Sequence, residues 1–140
     1  MACAGAHLVY MVIRRGKWDI PEYYGPGTGT GVDIAYIVTD LPYGAPFSLK
    51  QALPFASQSI VLFGFPDIRL KPVNAFLHLL SKMHETRADL VLGLFRATDP
   101  SKMYMVRLNR YGDITAIDIK PATSSLTYTW LIAVWSSAFT

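Results

Sequence analysis

Residues 59–67 read Ser59-Ile60-Val61-Leu62-Phe63-Gly64-Phe65-Pro66-Asp67. The run from Ser59 to Phe65 carries no charge and shows no polar alternation. A strand with one wet face alternates; a strand covered on both faces reads as a continuous apolar run. Pro66 ends the run, and Asp67 follows directly. A buried strand that stops at an aspartate is the feature around which the rest of the chain is read.

Upstream, His7 to Ile13 is a second apolar strand, ended by Arg14-Arg15-Gly16. Trp18 to Tyr24 suits a short helix, with Pro21 tolerated in its first turn. Gly25 to Gly31 is a Gly/Pro/Thr loop. Asp33 to Thr39 is a strand of β-branched and aromatic residues. Asp40 to Pro46 is rich in turn formers. Ser48 then offers a helix cap, with Gln51 three residues on, and that helix is expected to stop near Pro54. Downstream, Pro72 suits the first turn of a helix. Val73, Phe76, Leu77, Leu80 and Met83 follow at helical spacing. Asp89 to Arg96 is again a continuous strand. Alternating strands and helices predict an α/β fold with right-handed crossovers and a mostly parallel sheet. After Pro100 the pattern changes. Met103 to Leu108 and Ile114 to Lys120 predict a hairpin across Asn109-Arg110-Tyr111-Gly112-Asp113. Tyr128 to Trp135 predicts a last strand.

The composition sharpens this reading. The chain has 140 residues, of which 51% are hydrophobic and 16% charged. Soluble domains carry roughly 25% charged residues, so either much of this chain is buried on both faces or part of its natural cover is absent. Mean hydropathy is +0.27. No apolar run approaches the roughly 20 residues of a spanning helix, so no membrane role is expected. His7 interrupts the first apolar run, and Arg14 and Arg15 follow rather than precede it, which is the wrong order for a signal peptide. The single Cys3 allows no internal disulfide, so a cytoplasmic location is expected. Net charge is +3, with basic residues spread rather than clustered. That suits small anionic ligands and argues against nucleic acid.

Three features bear on chemistry. Glycine-rich Gly25 to Gly31 invites a phosphate reading, but a strand follows it, not a helix, so it reads as a connection. Asp67 lies beyond the carboxyl end of a strand, where open α/β sheets bind ligands, and a carboxylate there can hold Mg²⁺. The bland alternative is a Pro-Asp turn. Lys120 precedes Pro121 at another strand end, where a lysine meets phosphate as a point charge or is simply solvated. By alternation it shares a face with Asp118 and Ala116, opposite Ile117 and Ile119. His7, His78 and His84 have no metal-site spacing.

In order and spacing these pieces resemble the sugar-1-phosphate nucleotidyltransferases, such as glucose-1-phosphate thymidylyltransferase. Pro42-Tyr43-Gly44 through Gln51-Ala52 is similar to the family's segment around the nucleotide base. Phe65-Pro66-Asp67 is similar to its Gly-Asp after a central strand, and Ile119-Lys120-Pro121 to its Glu-Lys-Pro. The resemblance implies a Rossmann-like three-layer fold with an added antiparallel hairpin, here truncated. It implies Mg²⁺ binding and catalysis for Asp67, sugar-phosphate contact and catalysis for Lys120, and substrate contacts for Gly44 and Gln51. The partners implied are an NTP and a sugar phosphate, joined with release of pyrophosphate. There are departures. Nothing matches the family's Gly-Gly-x-Gly-x-Arg-Leu loop, and its second metal aspartate has no counterpart. Tyr104 and Trp130 stand where the family has glycines, and Ile119 replaces the glutamate. These 140 residues alone are therefore expected to make no sugar nucleotide. The alternatives are a non-catalytic relative that binds a nucleotide or a protein, and an unrelated α/β binding domain. The apolar excess further predicts exposed apolar surface and a homo-oligomer.

Overall fold

A computed structural model describes residues 1–40 and 44–140. In chain order the elements are β1 (Leu8–Arg14), α1 (Asp19–Tyr24), β2 (Asp33–Thr39), α2 (Ala45–Ala56), β3 (Val61–Gly64), α3 (Ala75–Thr86), β4 (Leu90–Arg96), β5 (Tyr104–Leu108), β6 (Ile114–Ile119) and β7 (Tyr128–Trp135). The chain divides into two compact units. One holds Met1–Val61 and Trp135–Thr140; the other holds Leu62–Val134.

In the first unit, β1 and β2 pair in parallel, from Leu8 opposite Asp33 to Arg14 opposite Thr39. Helix α2 packs on both strands. The Phe55 ring stacks on Tyr10 with centroids 5.4 Å apart. The helix starts earlier than the sequence suggests. Its N-cap is Gly44 at φ 95°, and Ser48 is not a cap. The Ser48 hydroxyl instead donates back to the Gly44 carbonyl at 3.4 Å. Pro54 does not stop the helix, which runs on to Ala56. Proline removes one donor but leaves its own carbonyl and the following residues able to continue the last turn. Pro42 and Tyr43, expected beside the nucleotide base, lie outside the described residues.

In the second unit the strand order is β3-β7-β5-β6, and β4 pairs with β7. Strand β5 runs antiparallel to β6, with Tyr104 opposite Ile119 and Met105 opposite Asp118. It also runs antiparallel to β7, with Met105 opposite Thr129. This corrects the expectation of a mostly parallel sheet. Alternating strands and helices imply parallel neighbours only when successive strands lie side by side. Here the last strand in sequence inserts between β3 and β5, a non-local pairing that periodicity does not encode.

The core of this unit is Met105 and Val106 of β5, Ile132, Ala133 and Val134 of β7, and Ala75 and Phe76 of α3. Helix α3 turns Phe76, Leu80 and Met83 of the expected stripe toward cover, Phe76 buried and the other two half-buried, but not Val73 or Leu77. Val73 lies before the helix and is 83% exposed, and Leu77 is also exposed. Leu79 faces Gly93 of β4 instead. The continuous apolar strands are less covered than expected. All of β3 is half-buried, Ile60 before it is exposed, and in β4 Gly93 alone is fully buried.

Candidate functional site

Lys120 stands just beyond β6, and three constraints hold it. Its N–H donates to the Met103 carbonyl at 3.0 Å, extending the β5–β6 ladder by one rung. Its φ is +44°, a left-handed backbone that side chains rarely adopt. Pro121 follows, and a residue before proline strongly prefers extended backbone with negative φ. The turn ends the strand alternation. Lys120 does not continue the face of Ala116 and Asp118; its ammonium stands 6.0 Å from the ring centroid of Tyr104. Tyr104 pairs with Ile119, so it belongs to the opposite face. Asp118 is engaged by Arg107 at 3.3 Å. Among the described residues Lys120 has no carboxylate partner.

A row of aromatic rings runs from Tyr104 across the sheet. Tyr104 packs on Trp130 of β7 at 6.2 Å between centroids. Trp130 packs on Phe63 of β3 at 5.9 Å and on Phe65 just beyond it at 6.3 Å. Phe63 and Phe65 meet edge to face at 5.1 Å. Beneath the row, the buried Thr129 hydroxyl donates to the Tyr104 carbonyl at 3.0 Å. The Trp130 Nε1–H is buried without a hydrogen-bond partner among the described residues. Tyr104 thus stands beside Lys120, with Trp130 packed against it. Sequence reading did not find the row itself, because no motif marks residues that meet only across three strands.

Asp67 occupies an exposed turn at the other end of the row, two residues past Phe65. The turn is closed by the Ile68 N–H donating to the Phe65 carbonyl at 3.3 Å. The Asp67 carboxylate has no ion pair among the described residues. Strands β3 and β6 are three places apart in the sheet. At about 4.8 Å per place, their axes lie about 14 Å apart. Asp67 and Lys120 therefore follow strands that are not neighbours, β3 and β6. Among the described residues no group of three His, Cys, Asp or Glu side chains could hold a metal ion. A lone carboxylate such as that of Asp67 supplies one oxygen ligand to a hard cation.

Gly44 and Gln51 lie in the other unit, both on α2. Gly44 is the N-cap and Gln51 sits two turns on, nearly under it on the same helix face. The glycine loop 25–31 is tied down by its own bonds. Gly27 N–H donates to the Tyr24 carbonyl at 3.1 Å and Thr30 N–H to the Gly27 carbonyl at 2.9 Å. The Tyr36 hydroxyl donates to the Gly25 carbonyl at 2.7 Å. A Cβ on Gly27 would strike the Val32 carbonyl oxygen, and its φ is +96°. Among the described residues no helix is long and apolar enough to cross a membrane.

No protein-family model matches this sequence, and no curated protein sequence matches it. Solved structures do. One is described as a glucose-1-phosphate thymidylyltransferase from Bacillus anthracis in complex with sucrose. It matches at TM-score 0.77 and 18% identity, over 91% of this chain and 52% of its own. An apo UDP-glucose pyrophosphorylase matches at TM-score 0.74 and 10% identity, over 96% of this chain and 61% of its own. A UDP-glucose pyrophosphorylase complexed with UDP-glucose matches at TM-score 0.79 and 11% identity, over 96% and 60%. The chain therefore has a sugar-1-phosphate nucleotidyltransferase-like fold, spanning about half to three fifths of the length of those solved chains.

Proposed function

We propose that this chain binds a nucleoside triphosphate and a sugar phosphate in the manner of a nucleotidyltransferase domain, and that these 140 residues alone do not complete the transfer. The observation that carries the reading is Lys120. Its ammonium stands at a strand end with no carboxylate partner among the described residues, across the sheet from an aspartate that has no ion pair among them, in a nucleotidyltransferase-like fold.

In this reading Lys120 takes the sugar phosphate as a point charge. Asp67, together with the triphosphate oxygens, would hold Mg²⁺. When bound, that ion neutralises charge on the phosphates. Gln51 offers an amide donor and acceptor to a base edge, and Gly44 keeps the backbone beside it free of a side chain. Transfer joins the sugar-phosphate oxygen to the α-phosphorus in line, with pyrophosphate leaving. That chemistry rests on positioning and charge neutralisation rather than on a covalent nucleophile. One carboxylate and one lysine supply part of this. The described residues offer no further acidic cluster to anchor a metal through the transition state. The dispersed positive charge fits small anions rather than nucleic acid, and the lone exposed Cys3 fits a reducing, cytoplasmic setting.

Calorimetric titration with dTTP or UTP and Mg²⁺ tests the binding half. Asp67→Ala should weaken binding by at least about tenfold, the loss typical of removing even an outer partner of a metal ligand. Equal binding by wild type and variant would remove Asp67 from the site. A pyrophosphate-release assay with glucose 1-phosphate tests the other half: no turnover is expected, and clear turnover would overturn it.

A further inference from the structure

We propose that Tyr104 is a positioning residue for Lys120: its ring holds the ammonium in place for a sugar phosphate without neutralising it. This rests on the phosphate-binding reading of Lys120 above. Left alone, a lysine before proline would take an extended backbone and let its side chain wander. Here the backbone is left-handed and the ammonium stands 6.0 Å over a tyrosine ring, within the reach of cation–π attraction. The Lys120 N–H bond to Met103 fixes the backbone beside that ring. The ring is itself fixed. Trp130 packs against it at 6.2 Å, and its carbonyl accepts from buried Thr129.

A ring and a carboxylate hold a lysine differently. A carboxylate cancels the charge and occupies its donors, so an incoming phosphate must displace it. A ring face attracts the cation by its quadrupole and carries no net charge. The ammonium stays fully charged, keeps its donors for the ligand, and is ordered beforehand, which lowers the entropic cost of binding. On the hairpin, Asp118 is engaged by Arg107. The arrangement thus fits recognition of a phosphate monoester with its sugar beside the Tyr104 ring.

The test uses the full chain, with glucose 1-phosphate as the probe, in wild type, Tyr104→Phe, Tyr104→Leu, Lys120→Met and the Tyr104→Leu/Lys120→Met pair. In wild type and Tyr104→Phe, ring current should move the Lys120 ε-methylene proton resonance upfield of the other lysines. In Tyr104→Leu it should return to the ordinary position. Binding should weaken about two- to fivefold in Tyr104→Leu, the scale of an exposed cation–π contact, and stay within about twofold in Tyr104→Phe. Adding Tyr104→Leu to Lys120→Met should cost nothing more. An ordinary Lys120 resonance in wild type overturns the proposal, and this needs no variant to fold. So does undiminished binding by Tyr104→Leu, or an equal further loss on top of Lys120→Met. If wild type does not bind glucose 1-phosphate, or Lys120→Met binds it as well, the phosphate role of Lys120 fails; the resonance still decides whether the ring holds the ammonium.

Discussion

At the scale of single residues, three positions carry constraints that a substitution would expose. Thr129 is fully buried, and its hydroxyl satisfies the Tyr104 carbonyl. Thr129→Val keeps the shape but strands that acceptor, so a loss of about 1–3 kcal/mol is expected in chemical denaturation. Gly93 is glycine because β7 passes close by. A Cβ there would come within 2.9 Å of the Ile132 Cδ1, and Ile132 is itself buried. Gly93→Ala should cost about 1–3 kcal/mol, the range for overpacking a core. An unchanged midpoint would mean that Ile132 can turn aside. Asp99 is half-buried and titrates below the usual carboxylate range. The Ser101 hydroxyl bonded to it is the main cause, and the Lys102 ammonium at 3.0 Å adds to it. A depressed carboxylate stabilises the turn above its unfolded value and loses that contribution as pH falls through the folded one. An NMR titration should find the Asp99 carboxyl still ionised where an ordinary aspartate is half protonated.

At the scale of elements, the β5–β6 hairpin is the part most fully specified by its own sequence. Asn109 folds its side chain back to accept from the N–H groups of Tyr111 and Asp113, at 2.8 and 2.9 Å. Gly112 supplies the positive φ that the turn needs. Strand β6 is also the edge of its sheet, and Ile114, Ile117 and Ile119 are exposed along it, Ile119 at 70%. Native edge strands are usually blunted by charge or proline. Within β6 the sole charge is Asp118, already paired with Arg107. Self-association through this edge is therefore expected. Light scattering after size exclusion should give a mass above 15.6 kDa that falls when Ile117→Lys places a charge on the strand. A monomer at every concentration would count against it.

At the scale of the whole molecule, burial is uneven. Among the described residues, seven of the eight buried hydrophobic side chains lie in the unit Leu62–Val134; the other unit contributes Ile13. Local stability follows buried apolar contact. Hydrogen exchange should find the amides of β5 and β7 slower than those of β1 and β2, and the reverse order would show that burial does not set stability here. The sequence by itself determined the local elements. It placed β2 and β7 at their observed bounds, and it placed the hairpin turn and α1, because periodicity, glycine and proline act within a few residues. It also singled out Asp67 and Lys120, since each ends a strand. It misjudged the sheet, and of the α3 stripe it misplaced Val73 and Leu77, which are exposed. Only the tertiary structure decided that β7 lies between β3 and β5, that Lys120 leaves its own face for Tyr104, and that Phe63, Trp130 and Tyr104 form one row. The physical reason is the same for all three. Strand order and cross-strand contact join residues far apart in the chain, and no local preference records which distant partner a strand will take.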